Sequence, residues 1–167
     1  MKKIVEKYCE IPGVLRKPLW RFWHNLMIKF DREKVNFFMN YGYASSNGEF
    51  KHLQLAPEDE PHRYFIQLYD HVTRKHHFPG TKVLEVGSGR GGGASFLTRY
   101  KKPEEYVALD ISPKTTEQCT NYHKVPGLKF ITGHAEDLPF EDSSYDAVVN
   151  IESARAYGDI GRFFNEV

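Results

Sequence analysis

No uninterrupted apolar stretch in the 167-residue chain reaches the ~18 residues of a membrane span, and its basic N-terminus lacks the apolar segment of a secretory signal. The expected address is the cytoplasm. Cysteine is scarce: Cys9 and Cys119 make neither a disulfide framework nor a metal motif, so both read as reduced thiols. Histidines do not fill the gap, because His71, His76 and His77 lack the i, i+4 spacing of a helical zinc pair, and no metal is expected. Excess charge is missing too. A formal net charge of +1 provides no global field for nucleic acid, although the first thirty residues carry Lys2, Lys3, Lys7, Arg16, Lys17, Arg21 and Lys29 against Glu6 and Glu10. There is no internal repeat or low-complexity segment.

What is present is enough apolar material, 40% hydrophobic and 14% aromatic, for one proper core. From Leu19, the residues Phe22, Trp23, Leu26, Met27 and Phe30 recur on one helical face, which predicts an amphipathic helix over about 15–30. Its basic flank and two tryptophans leave two readings open, ordinary core and weak contact with a membrane surface. "NYGYASSNGEF" (40–50) and "APEDEP" (56–61) read as loops. Between Pro61 and His77, the stripe Tyr64, Phe65, Leu68, Tyr69 and Val72 predicts a second amphipathic helix.

After Gly80 the pattern becomes regular. "KVLEV", "EYVALD", "LKFIT" and "YDAVVNI" read as strands, alternating with helices over "GGASFLTRY", from Pro113 to about His123 behind an N-capping Ser112, and after a capping Asp159. Alternation of this kind predicts a doubly wound parallel α/β sheet behind an N-terminal helical extension. In such a sheet ligands bind at the carboxyl ends of the strands. Those ends carry Glu85–Gly93, Asp110, Gly133–Glu136, and Asn150 with Glu152.

"VLEVGSGRGGGAS" (83–95) is the most informative of these ends. No Gly-Lys-Ser/Thr follows it, so phosphate chemistry lacks its lysine and its magnesium hydroxyl. Gly87-Ser88-Gly89-Arg90-Gly91-Gly92 fits the dinucleotide pattern, with Asp110 at the distance of a ribose acceptor. The same residues fit a site for S-adenosylmethionine. There, backbone N–H groups of Gly87, Ser88, Gly89 and Gly91 receive a carboxylate, Glu85 adds negative charge for an ammonium, Asp110 takes the ribose and Ile111 gives the adenine an apolar edge.

"VLEVGSGRGGG", "YVALDIS" and "LKFITGHAEDLPFEDSSYDAVVNIES" resemble, in order and spacing, the motifs of class I S-adenosylmethionine-dependent methyltransferases of the ubiquinone/menaquinone and sterol type. "GGGASFLTRY" with "NIESARAYGD" looks most like the phthiotriolone dimycocerosate and sugar O-methyltransferase branch, and "NYGY" (40–43) resembles the N-terminal lid motif of many members. The resemblance implies a Rossmann-like sheet of about four strands over 80–167, a helical extension and lid over 1–79, and methyl transfer to a small apolar or lipid-like acceptor. It also implies that Gly87, Gly89 and Gly91 lie under the methionine portion and that His134 and Ala135 contact adenine. Asn150 and Glu152 would end the fourth strand near the methyl donor. His134 stands where the family usually has Asp or Asn. Arg155 stands where the sugar-modifying branch has a histidine base, and an arginine keeps its proton at neutral pH.

Two other functions stay open on sequence: a nicotinamide-dependent oxidoreductase and a non-catalytic cofactor-binding fragment. Family members continue past the fourth strand, so the resemblance marks the chain as C-terminally incomplete. It also implies that the first strand lies between the second and fourth. "YDAVVNI" then becomes an unprotected sheet edge, open to self-association.

Overall fold

The computed structural model describes residues 37–167. The expected helix over 15–30 and its membrane contact lie outside the described residues. Three of the apolar runs become strands with the predicted bounds, β1 (Lys82–Val86), β2 (Glu105–Asp110) and β3 (Leu128–Thr132), whereas the fourth is shorter, β4 (Ala147–Val149). All pairings are parallel in the order β3-β2-β1-β4, so β1 does lie between β2 and β4. Among the described residues β4 pairs with β1 alone. Its ladder to β1 spans Val83–Glu85 opposite Ala147–Val149, and Asp146 pins its start by accepting from the Lys82 N–H at 2.8 Å.

Strand alternation sorts the sheet's side chains into two cores. Val83, Tyr106, Ala108 and Val149 share one with Ile66, Tyr69, Phe96 and Leu97. Leu84, Val86, Val107 and Leu109 share the other with Ala135 and Phe163. The helices that cover these faces are α1 (Arg63–Thr73), which follows a 3-10 turn at Glu60–His62, then α2 (Gly92–Lys101), α3 (Pro113–Tyr122) and α4 (Ile160–Glu166). Burying each large side chain contributes roughly 1.5–3 kcal/mol. The caps are those the sequence predicts: Ser112 accepts from the Thr115 N–H at 3.3 Å and Asp159 from the Arg162 N–H at 3.0 Å.

α1 departs from expectation. Its buried residues are Ile66, Gln67, Tyr69, Asp70 and Thr73, while Tyr64 and Val72 of the predicted apolar stripe are exposed. Ion pairing turns the helix: the buried Asp70 carboxylate receives Lys101 Nζ at 2.5 Å and faces His52 Nε2 at 3.1 Å. A buried charge held this way can displace an apolar residue from the core face. Residues 37–79 fall with the sheet in one compact unit, Phe37–Val167.

The tightest constraint is at Gly93, where a Cβ would lie 1.8 Å from the Tyr69 ring. Gly92 is similar, its Cβ position being 2.7 Å from the Phe37 carbonyl oxygen. Both glycines therefore serve close packing. Gly93→Ala should lower stability by about 1–3 kcal/mol through overpacking, read as a fall in the urea midpoint. Pairing it with Tyr69→Leu should recover part of the loss, and a midpoint unchanged by Gly93→Ala would contradict the packing account.

Candidate active site

The carboxyl end of β1 runs into a loop with Gly87, Gly89 and Gly91 at φ +79°, +54° and +77°. A side chain at Gly87 would meet Ser153 at 2.4 Å besides forcing a left-handed backbone. The turn is closed by Gly87 and Ser88 N–H groups donating to the Leu109 carbonyl at 2.8 and 3.0 Å. From below, His123 Nε2 lies 2.9 Å from the Arg90 carbonyl, which only accepts, so this nitrogen carries the proton. The Ser88 hydroxyl is buried with no hydrogen-bond partner among the described residues. An unpartnered buried hydroxyl in a glycine loop is the acceptor or donor a ligand would complete.

Asp110, expected as the ribose acceptor, stands at the end of β2 beside the glycine loop. The Gly89 N–H donates to its Oδ2 at 2.9 Å and the Ser112 N–H to its Oδ1 at 3.0 Å, which fixes the carboxylate plane. Next to it Ile111 is exposed, and beyond β3 His134 is exposed while Ala135 is buried. His134 Nδ1 accepts from the Glu136 N–H at 3.2 Å, so that nitrogen is already used locally.

Glu85 differs from its expected role. It is 1% exposed, and Tyr69 and Tyr106 donate to its two oxygens at 2.8 and 3.0 Å. The negative charge expected beside an ammonium is thus a buried carboxylate shared by two phenols. Asn150 is likewise built into a polar knot. Its Nδ2 lies 3.0 Å from the Val86 carbonyl, 2.9 Å from Ser153 Oγ and 2.8 Å from the Tyr157 hydroxyl. Ser153 and Tyr157, spaced i, i+4 after the strand, were not singled out by the sequence, although that spacing beside Asn150 is a usable signal.

A strap of residues 37–43 crosses the same edge. The Phe37 carbonyl accepts from the Gly92 N–H at 3.1 Å, Met39 Sδ sits 3.2 Å from the Cβ position of Gly89, and the Tyr41 N–H donates to Glu152 Oε1 at 3.2 Å. Arg155 reaches back to Tyr41, with its guanidinium 5.2 Å from the ring centre and Nη1 3.3 Å from the hydroxyl. The strap's tyrosines divide: Tyr43 packs on the core, whereas Tyr41 is 79% exposed. Glu152 holds φ +57°, a conformation costing about 1–3 kcal/mol in a non-glycine residue, and its Oε2 is buried without a partner among the described residues. Strain and an unfilled acceptor coincide where the strap meets β4. Under the glycine loop, where Cys119 Sγ lies 3.5 Å from the Gly89 carbonyl, burial pushes the Cys119 thiol up to about 12, which disfavours the thiolate. Among the described residues no acidic, cysteine or histidine cluster suits a metal.

A family model described as a methyltransferase domain matches residues 84–167. The phthiotriol/phenolphthiotriol dimycocerosates methyltransferase of Mycobacterium leprae is 40% identical over 152 residues, which are 90% of this chain and 55% of that protein. The fatty-acid O-methyltransferase of Mycolicibacterium smegmatis is 42% identical over 130 residues, 78% of this chain and 47% of that protein. The chain thus spans about half the length of the curated relatives it matches. Among solved structures, the YcgJ protein from Bacillus subtilis superposes with a TM-score of 0.56 at 23% identity, covering 60% of this chain and 44% of that one, a likeness of fold.

Burial pushes the Glu85 carboxyl from 4.5 up to about 7, against the opposing pull of the Tyr69 and Tyr106 bonds and with a smaller push from the Asp110 charge. The folded state therefore holds this proton more tightly than the unfolded chain. Below about pH 4.5 both states are protonated and the difference vanishes; between there and about pH 7 stability falls as pH rises, by about 3 kcal/mol in all. Glu85→Gln should remove that part of the slope in urea titrations run from pH 5 to 8. An identical slope in the variant would mean that Glu85 ionises normally.

Proposed function

Because the chain belongs to the methyltransferase-domain family, we propose that it binds S-adenosylmethionine along the carboxyl edge of its sheet and directs the methyl group to a small lipid-like acceptor. The observation that carries this reading is the pre-set edge itself: a left-handed glycine loop, and beside it an Asp110 carboxylate oriented by two backbone N–H groups. When bound, S-adenosylmethionine supplies an electrophilic methyl group on a sulfonium centre. The protein's work is then alignment and exclusion of water.

In this reading Gly87, Ser88, Gly89 and Gly91 receive the methionine end, and Asp110 takes the ribose hydroxyls. Ile111, His134 and Ala135 border the adenine. Glu85 acts from beneath, through Tyr69 and Tyr106, and Asn150 by holding the end of β1. Glu152 secures the strap through Oε1 and presents Oε2 to a donor, while Arg155 receives the acceptor's reacting oxygen. The lipid-like acceptor is supported by the names of the relatives and by the aromatic strap over the edge. A nicotinamide cofactor fits less well, because the methyltransferase family model covers residues 84–167, the loop included.

β4 presents its outer edge with Val148 39% exposed, beside a groove of about 400 Å³ bordered by Val72, Phe78, Phe163 and Phe164. It bears no lysine or proline of the kind that blunts natural edges. A second copy pairing along it is part of this proposal: sedimentation should show association that grows with concentration. A single monomeric species from low to high micromolar concentration would remove it.

The donor assignment is tested by calorimetry. S-adenosylmethionine or its demethylated product should bind and NADH should not, and Asp110→Ala should weaken binding by about 1.5–3 kcal/mol, the cost of lost charged hydrogen bonds. NADH binding as tightly as S-adenosylmethionine would overturn the assignment. An unchanged affinity in Asp110→Ala would take Asp110 out of the site.

A further inference from the structure

Four of the five glycines between Gly87 and Gly93 give up a side chain to packed neighbours: a Cβ would meet Ser153 at Gly87, Phe130 at Gly91, the Phe37 carbonyl at Gly92 and Tyr69 at Gly93. Gly89 is different. Beyond its chain neighbours, only Met39 among the described residues comes within 4 Å of its Cβ position, with Sδ at 3.2 Å and Cγ at 3.8 Å. Gly89 is the second glycine of the loop, where a missing side chain lets a ligand come close to the backbone, and its N–H donates to Asp110 Oδ2 at 2.9 Å. The place such a glycine leaves open is thus filled by the end of a side chain that is itself 44% exposed.

The strap on either side of Met39 is anchored. Phe38 is buried and stacks on Phe65 at 5.9 Å, and the Tyr43 N–H donates to the Tyr64 carbonyl at 2.9 Å. Between these anchors Asn40 Oδ1 accepts from the Gly42 N–H at 2.8 Å and closes a short turn. The backbone therefore keeps Met39 over the loop, while its unbranched thioether chain can change rotamer without moving the core. Its –CH2–S– end is also the chemistry of the methionyl arm of S-adenosylmethionine, so a surface that accepts one suits the other.

Resting on the S-adenosylmethionine reading above, we propose that Met39 is an internal occupant of the donor site: its thioether lies where the methionyl arm of the donor binds, and donor binding displaces it. The apparent affinity of the donor is then reduced in proportion to the fraction of molecules in which Met39 has swung out. A ligand that reaches only the Asp110 end, such as adenosine, leaves Met39 in place.

Calorimetry on the full-length protein compares S-adenosylhomocysteine with adenosine. Met39→Ala should tighten S-adenosylhomocysteine by about threefold to tenfold, as expected when the competent state rises from a minor fraction to nearly all molecules, and should leave adenosine unchanged. Met39→Leu refills the space and should stay within about twofold of the wild type, being a volume-conserving swap. In the wild type with labelled methionine methyls, a nuclear Overhauser contact from Met39 to the Gly89 α-protons should be present without ligand and vanish at saturating S-adenosylhomocysteine. An affinity unchanged or weakened in Met39→Ala, an equal tightening of adenosine, or a contact that survives in the complex overturns the proposal. S-adenosylhomocysteine that binds the wild type with the contact intact sinks only the occupant, whereas S-adenosylhomocysteine that binds neither the wild type nor the variants sinks the donor reading and this proposal with it.

Discussion

Tyr69 enters the protein where Gly93 has no side chain, and its hydroxyl ends on the Glu85 carboxylate at 2.8 Å. That one contact joins α1 to the first turn of α2 and to the last residues of β1. With Tyr106 on the other carboxylate oxygen, it fixes the strand end from which the glycine loop departs. The loop's conformation is consequently set by the interior before any ligand arrives. A buried carboxylate is costly unless hydrogen-bonded, and two phenols supply what water would. The same arrangement explains why both glycines at the head of α2 serve packing.

On the opposite side of the loop, the Val86 carbonyl gathers Asn150, Ser153 and Tyr157. This knot ties the end of β4 to the end of β1 where the parallel ladder has already stopped. It also brings Glu152 and Arg155 round to meet the strap. The candidate site therefore has a rigid floor and a cover made of a short aromatic segment held by a few exposed hydrogen bonds. Low-stability elements of that sort are the ones that open and close around ligands.

Much of the architecture was legible in the sequence because it is locally encoded. Three strands have their predicted bounds, and Ser112 and Asp159 cap the helices they precede, since strand periodicity and capping depend on residues within a few positions of one another. The place of Asp110 was legible for the same reason: the last residue of a parallel strand next to a glycine loop lies at the carboxyl edge of the sheet whatever else the fold does. β4 came out shorter than its apolar run. Its ladder spans the three residues opposite Val83–Glu85 of β1, a register set between strands and not within one.

The local pattern of the chain, then, determined the alternation of strands and helices, the parallel sheet and the glycine loop at its carboxyl edge. Only the tertiary structure decided which face of α1 is buried, because the deciding partners of Asp70 are His52 and Lys101, far from it in sequence. It alone made Glu85, expected to add negative charge for an ammonium, a buried acceptor for two tyrosines. It also brought Tyr41 to Glu152 and Arg155, more than a hundred residues away, and so placed an aromatic ring beside a cation. Periodicity reports which residues prefer the interior, whereas ion pairs and buried hydrogen bonds choose among the packings that satisfy it, and those choices are made between residues that no local window contains.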